Sequence, residues 1–357
     1  MYSETIIIRL QDTFVFVLLL TYFIFSLIWG KNETFAIIQY SMFYISGRVL
    51  CQISSAKDEN NLIKYILLGS IGFSLYAILT VLSSQMTHDK RIPDIWNNQP
   101  IAATQYAAWL ILLIAFLPYV MNNFRNISII KKAIIIFTMI GAVGSIFIMA
   151  SRTGMLIIAL AIVMGFYFLL KDKRKTEILV ACVVFCALII AYVYNLFGLK
   201  EWVDNSNLVI RLRSSRVPAL QTSRTEYYEY VIKNFFKHIW GGFFFSNEIG
   251  ASIHNIFLDL YDATGIIPLI ALVLVFIKIA QNILFIIKSK NILLPIKIVF
   301  ICWFSINIIQ LLLEPVWSYG YKGYLSFIFF CIGGLESYVY IKKTKRHPLT
   351  EQKRPSL

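Results

Sequence analysis

Charged residues are scarce in this chain of 357 residues. They make up 15% of it, whereas hydrophobic residues make up 58%. Soluble proteins carry about 25% charged residues, so this composition excludes a water-soluble globular fold. Stretches of about 20 apolar residues, each long enough to cross a hydrocarbon core of about 30 Å, recur along the chain. The sequence therefore predicts a multi-pass, all-α integral membrane protein.

Paired cysteines and internal repeats are also missing. The five cysteines lie in apolar stretches without the spacing of a disulfide framework or a metal site, so we interpret them as core residues. Gly and Pro breaks do not recur at matching places in two halves of the chain. This absence argues against an inverted-repeat transporter.

About ten membrane spans are predicted, with a large hydrophilic loop between the seventh and the eighth. They cover residues 13–30, 34–54, 62–84, 101–122, 133–150, 154–170, 177–199, 264–287, 293–313 and 321–341. Arg48 and Lys278 interrupt the second and eighth spans, and we expect both side chains to snorkel to the cytoplasmic interface. The chain divides into spans 1–7 (1–199), the loop (200–253), spans 8–10 (254–341) and a basic tail (342–357).

The distribution of Lys and Arg predicts the orientation. These residues concentrate in alternate loops and in the tail, which the positive-inside rule assigns to the cytoplasm. Both termini are therefore predicted to be cytoplasmic and the 200–253 loop external. The net charge of +14 follows from this bias and from the tail, so nucleic acid is not predicted as a partner. The tail is expected to contact anionic membrane lipids.

The external loop is unusually rich in arginine. It contains Arg211, Arg213, Arg216 and Arg224. A solvated surface would explain them, because the positive-inside rule is weak for long loops. The alternative is an anion site, since the guanidinium group binds phosphate in a bidentate fashion. Apolar residues at helical spacing between Glu226 and Trp240 predict an amphipathic helix on the outer membrane surface.

Two further features lie at the predicted external rim. His254 follows the loop; a His at a helix start is usually a capping or packing residue, but it can also titrate near neutral pH and act as a general base. Arg152 opens the sixth span and is the only charged residue between Lys132 and Lys171. An interfacial anchor is the simpler interpretation of Arg152, although it lies on the same predicted side as the loop and His254.

These motifs together resemble the bacterial O-antigen ligase and O-antigen polymerase superfamily. Residues 151–156 look like its Arg-x-x-x-Leu element, and His254-Asn255, nine residues and Gly265 look like its His-Asn motif. Arg224, an amphipathic helix and residues 240–242 are similar to the approach to that motif. The resemblance covers roughly residues 100–270, and Pro268 stands where the ligase form usually has Gly, Thr or Tyr.

The resemblance implies a membrane glycosyltransferase of the bacterial inner (plasma) membrane, with a fold like the C-type enzymes. Its donor would be an undecaprenyl-diphosphate-linked oligosaccharide on the periplasmic face, and a chain-length regulator protein is a further implied partner. Arg152 and Arg224 would stabilise the diphosphate leaving group, with Arg211, Arg213 and Arg216 as weaker contacts. His254 would be the general base or would orient the diphosphate. The sequence contains no Asp-x-Asp pair, so no metal cofactor is predicted.

The sequence leaves several functions open. A polymerase, which adds glycan to another lipid-linked repeat unit, is the first choice because Pro268 departs from the ligase pattern. A ligase would transfer the polymer to lipid A core, and other branches of the superfamily modify proteins or teichoic-acid-like polymers. A lipid-linked glycan flippase or transporter is the alternative from another class, and it is expected to carry charges deep within several spans.

Overall fold

The computed structural model describes residues 8–30, 34–55, 61–83, 91–96, 98–206, 209, 223–250, 253–314, 317 and 322–344. These residues are almost entirely helical. In chain order the helices are α1 (Leu10–Ile28), α2 (Thr34–Ser55), α3 (Asn61–Ser83), α4 (Ala103–Ile114), α5 (Leu117–Asn123), α6 (Ile129–Ile148), α7 (Arg152–Lys171), α8 (Lys175–Val193), α9 (Leu199–Asp204), α10 (Ser223–Lys233), α11 (Phe244–Ile249), α12 (Ile256–Thr264), α13 (Ile266–Lys288), α14 (Leu294–Leu313) and α15 (Lys322–Thr344). Two short strands, β1 (Arg91–Pro93) and β2 (Pro100–Ala102), pair in an antiparallel hairpin.

Nine helical segments in the described part of the chain are long and apolar enough to cross a membrane. They are α1, α3, the segment Ala103–Asn126 that contains α4 and α5, α6, α7, α8, α13, α14 and α15. These segments confirm the prediction of an all-α, multi-pass membrane protein. The predicted second span does form a helix of 22 residues, α2, but α2 is not among the nine. Polar residues such as Gln39, Ser46 and Gln52 make α2 less apolar than the other spans.

Helix α15 lies at the centre of the bundle and is buried along most of its length. Helix α2 packs against it through two glycines. A Cβ atom on Gly47 would lie 1.9 Å from the backbone oxygen of Phe330, and one on Gly333 would lie 2.2 Å from that of Tyr44. The two backbones are therefore in direct contact, as is common where small residues meet between membrane helices.

Arg48 does not snorkel to the interface as predicted. It is buried, and its guanidinium pairs with the Asp12 carboxylate at the start of α1. Tyr44 donates a hydrogen bond of 2.6 Å to the same carboxylate. A partner on another helix therefore neutralises the charge, and only the folded bundle brings that partner close. Lys278 on α13 is half-buried.

The described part of the hydrophilic loop folds into short helices against the bundle. The predicted amphipathic helix begins at Ser223 and ends at Lys233, followed by a 3-10 turn at Phe235–Lys237, so it is shorter than predicted. The Asn234 side-chain amide donates to the backbone oxygen of Tyr230, which competes with continuation of the helix. Part of its apolar face packs on protein, because Val231 lies in a small core with residues of α11 and α12. Arg211, Arg213 and Arg216 lie outside the described residues.

Candidate functional site

The site is built around the start of α12, where Asn255 is the N-cap residue. Its side-chain oxygen accepts hydrogen bonds from the backbone N–H groups of Phe257 at 3.0 Å and Leu258 at 3.3 Å. Its side-chain NH₂ group donates to the backbone oxygen of Leu312 at 3.3 Å. Asn suits both tasks because it has an acceptor and a donor, whereas an ionised Asp can only accept. Asn255 therefore ties the start of α12 to the end of α14.

Two glycine positions bring the residues before α11 against the break between α12 and α13. Gly265 has φ +86°, and a Cβ atom there would lie 2.5 Å from the backbone oxygen of Ile239. A Cβ atom on Gly241 would lie 2.6 Å from the backbone nitrogen of Gly265. The Ile266 N–H donates to the Ile239 oxygen at 2.9 Å. Gly241 and Gly265, one from each sequence motif, thus lie on opposite sides of a single backbone-to-backbone contact.

His254 itself has φ +61°, in the left-handed region that residues other than glycine rarely occupy. Its backbone oxygen accepts a hydrogen bond of 2.7 Å from the Tyr228 hydroxyl of α10. The side-chain nitrogen Nδ1 lies 3.6 Å from Oε2 of Glu314, and 27% of the His254 side chain is exposed. This distance is longer than a hydrogen bond but allows an ion pair when the imidazole is protonated.

Glu314 joins the His-Asn motif to the start of α7. Its other oxygen, Oε1, accepts a hydrogen bond of 2.7 Å from the Thr153 hydroxyl. Only 2% of the Glu314 side chain is exposed. Thr153 and His254 are about a hundred positions apart in the chain, and the single buried carboxyl group brings their side chains together. Arg152, the first residue of α7, follows the N-cap Ser151, whose hydroxyl accepts from the Gly154 N–H at 3.1 Å.

Arg224, the remaining residue of the predicted catalytic set, is the second residue of α10. It precedes Tyr228 by four positions, which is about one turn of the helix. The contact between Tyr228, in the middle of α10, and His254 brings this helix against the His-Asn motif.

The features predicted to be external lie at one end of the bundle. Glu314 follows the end of α14, and Thr153 lies at the start of α7. Trp29, after the end of α1, donates a hydrogen bond from its indole nitrogen to the backbone oxygen of Trp240 at 3.1 Å. Ten alternating spans, with α2 counted as one of them, would place these helix ends on one side, and the contacts bring them together there.

Two acidic residues of α12, Asp259 and Asp262, accept hydrogen bonds from backbone N–H groups of the neighbouring segments. Burial raises the pKa of the Asp259 carboxyl to about 8; nearby carboxylates also raise this pKa, whereas the hydrogen bond from the backbone N–H group of Ile253 lowers it. Burial likewise raises the pKa of Asp262, and hydrogen bonds from Ser246 and Phe245 oppose that shift. Asp262 holds α11 through the backbone N–H groups of these two residues, at 2.8 Å for Phe245 and 3.2 Å for Ser246.

Sequence reasoning missed Glu314, Asp259 and Tyr228. A signal for Glu314 was present, because it is the only charged residue between Lys297 and Lys322. The same pattern had singled out Arg152. Asp259 and Tyr228 give no such signal, since their importance comes from contacts between separate segments.

Within the described residues, no group of three or more His, Cys, Asp or Glu side chains is placed to hold a metal ion. The expected independence from metal stays a prediction. The chain matches no model of a known protein family, and no curated protein is significantly similar to it in sequence. Function must therefore be argued from the geometry of the site and from the motifs.

Proposed function

We propose that this protein is a membrane glycosyltransferase that polymerises glycan repeat units carried on a polyprenyl diphosphate. The observation that carries the proposal is the meeting of two distant motifs at one buried carboxyl group. Thr153, next to Arg152, donates to Glu314, and His254 faces the same carboxyl group from the other side. A cation, a carboxylate and an imidazole at the rim of a membrane protein are the groups that such a transfer requires.

Arg152 would stabilise the leaving group. As the bond between the sugar and the diphosphate breaks, negative charge accumulates on the phosphate oxygens, and a fixed cation stabilises that charge more than it stabilises the intact donor. Arg152 occupies the first position of α7, where the positive end of the helix dipole adds to its charge. Arg224, at the start of α10, would supply a second cation to the same diphosphate.

His254 and Glu314 would activate the acceptor. Glu314 faces Nδ1 of His254, so it would orient the ring and pair with the imidazolium that forms during transfer, leaving Nε2 for the acceptor hydroxyl. The acceptor oxygen gives its proton to Nε2 and forms a bond to the anomeric carbon. The bond from that carbon to the diphosphate oxygen breaks, and the lipid diphosphate leaves with the electron pair. An orienting contact to the diphosphate is the other role open to His254.

A flippase or transporter is less well supported. The buried charges Arg48 and Glu336 do lie within membrane helices, but Arg48 pairs with Asp12, and Glu336 accepts a hydrogen bond of 2.7 Å from Asn282. Arg48 lies seven residues before the end of α2, or about 10 Å along a helix. These groups are bonded in two pairs near helix ends, which is not the arrangement expected of charges along a passage.

The glycan profile of a deletion strain tests the proposal. Loss of a polymerase should leave lipid A core capped by a single repeat unit. Loss of a ligase should leave bare core, with long polymer still on the lipid carrier. Surface glycan unchanged in both length and attachment would contradict both assignments.

A further inference from the structure

The main chain of His254 adopts a conformation that residues other than glycine rarely adopt. Its φ of +61° lies in the left-handed region, where the Cβ atom of an L-residue is crowded. Such residues persist where surrounding groups hold them, and they cluster at functional sites. The groups that hold His254 therefore also set the direction in which its imidazole ring points.

Two side chains from different elements bond to this main chain. The Asp259 carboxyl, from α12, accepts a hydrogen bond of 3.2 Å from the N–H group of Ile253, the residue before His254. The Tyr228 hydroxyl, from α10, donates to the His254 carbonyl oxygen at 2.7 Å. The amide of the preceding residue and the carbonyl of His254 itself are thus both fixed, so the main chain is held on either side of the His254 Cα atom.

We infer that Asp259 and Tyr228 are positioning residues that clamp the main chain of His254 and so aim its side chain at the acceptor. This inference rests on the proposed function, in which His254 touches the acceptor hydroxyl or the diphosphate. Tyr228 also couples α10, and with it Arg224, to His254. Movement of α10 would then displace the proposed base and one proposed cation together.

Asp259 performs this task as an uncharged group near neutral pH. It is half-buried, with its Oδ2 atom enclosed, and lies near Asp262 of its own helix and Glu314 at the end of α14. Its pKa of about 8 keeps it protonated. The Ile253 N–H group and the Tyr228 phenol are the other polar groups that bond to this segment. One carboxyl oxygen, Oδ2, is buried without a hydrogen-bond partner among the described residues, and it is the place for the proton. Asn has an oxygen and an NH₂ group at these two positions, so Asp259→Asn should preserve the clamp, whereas Asp259→Leu should remove it.

Hydrogen exchange on the purified full-length protein tests the clamp without reference to activity. The Ile253 amide should be protected in the wild type and in Asp259→Asn, and should exchange about 10-fold faster or more in Asp259→Leu. Asp262→Leu is the matched control, because it should expose the amides of Phe245 and Ser246 and leave the Ile253 amide protected. Equal exchange of the Ile253 amide in the wild type and in Asp259→Leu would refute the clamp.

Transfer assays with a polyprenyl-diphosphate-linked repeat unit test the positioning role. Tyr228→Phe and Asp259→Leu should lower kcat by about 10-fold to 100-fold with little change in KM, and Asp259→Asn should restore kcat to within a few-fold of wild type. Tyr230→Phe is the control, because Tyr230 lies on the same helix and donates to Glu248 instead. Wild-type kcat in Tyr228→Phe would refute the positioning role. A wild-type protein without transfer activity would refute the proposed function, and the exchange pattern would still decide whether the clamp exists.

Discussion

Glu314→Gln removes a buried negative charge while keeping the size and shape of the side chain. Its amide oxygen can still accept the hydrogen bond from Thr153, which measures 2.7 Å in the wild type. The change therefore isolates the electrostatic effect of Glu314 on His254, whose Nδ1 atom lies 3.6 Å from the carboxylate. If His254 becomes protonated during transfer, the missing charge should raise the barrier for that step.

The size of the effect follows from the distance. Two unit charges 3.6 Å apart attract each other by about 4 to 5 kcal/mol at an effective dielectric constant of about 20. The Gln dipole recovers part of this energy, so we expect kcat to fall by about 100-fold to 1000-fold, at about 1.4 kcal/mol per factor of ten. Only 2% of the Glu314 side chain is exposed, and this burial supports the use of a dielectric constant well below that of water.

Glycan chain length in cells and the transfer rate of the purified protein are the two measurements. Glu248→Gln is the matched control, because Glu248 is exposed and bonds to Tyr230 instead of His254. A blot must show equal membrane levels of both variants. Full-length glycan from Glu314→Gln at normal abundance would mean that no charge develops on His254, and the proposed general base would be wrong.

The remaining predictions concern the cation, the metal, the topology and one titration. Arg152→Lys should lose about 100-fold to 1000-fold in rate, nearly as much as Arg152→Ala, because Lys lacks the planar guanidinium group. The control Arg91→Ala should stay close to wild type. Full glycan length from Arg152→Lys would mean that Arg152 is only an interfacial anchor. Activity should survive excess chelator, and restoration by magnesium after a loss would contradict this. A cysteine at Asn205 should react with an impermeant thiol reagent outside spheroplasts and one at Lys175 should not, since the reverse would invert the topology. The Asp259 pKa is raised from 3.8 to about 8, so the folded protein binds the extra proton and wild-type stability should fall as pH rises through this window. The melting temperature of Asp259→Asn should not show this fall, and parallel curves for the two proteins would refute the shift.

The membrane helices could be predicted from the sequence because each depends on its own residues. A run of about 20 apolar residues must form internal hydrogen bonds in lipid, wherever its neighbours lie. The contacts of Arg48 could not be predicted in this way, since Asp12 belongs to another helix and only packing brings the two together. The hairpin formed by Arg91–Pro93 and Pro100–Ala102 was also missed. Each strand has three residues, one of them a proline, which is too short to show an alternation of polar and apolar residues.

The motifs predicted part of the site, and the structure gives their physical reasons. Asn255 is needed as a cap that also donates to α14, and Gly265 is needed because a side chain would collide with Ile239. The length of the amphipathic helix was wrong because the spacing of apolar residues continues past Lys233, where Asn234 ends the helix. Apolar spacing alone cannot distinguish a helix from a helix followed by a turn.

Arg152 and Glu314 share a property that is visible in the sequence but becomes informative only when the two residues are considered together. Each is the only charged residue over a long apolar segment, Arg152 between Lys132 and Lys171 and Glu314 between Lys297 and Lys322. A lone charge at the end of a membrane helix is costly unless it reaches water or a polar partner. Two lone charges of opposite sign, at helix ends assigned to the same side, therefore favour a shared polar site. The hydrogen bond from Thr153, beside Arg152, to Glu314 brings these two helix ends together at such a site.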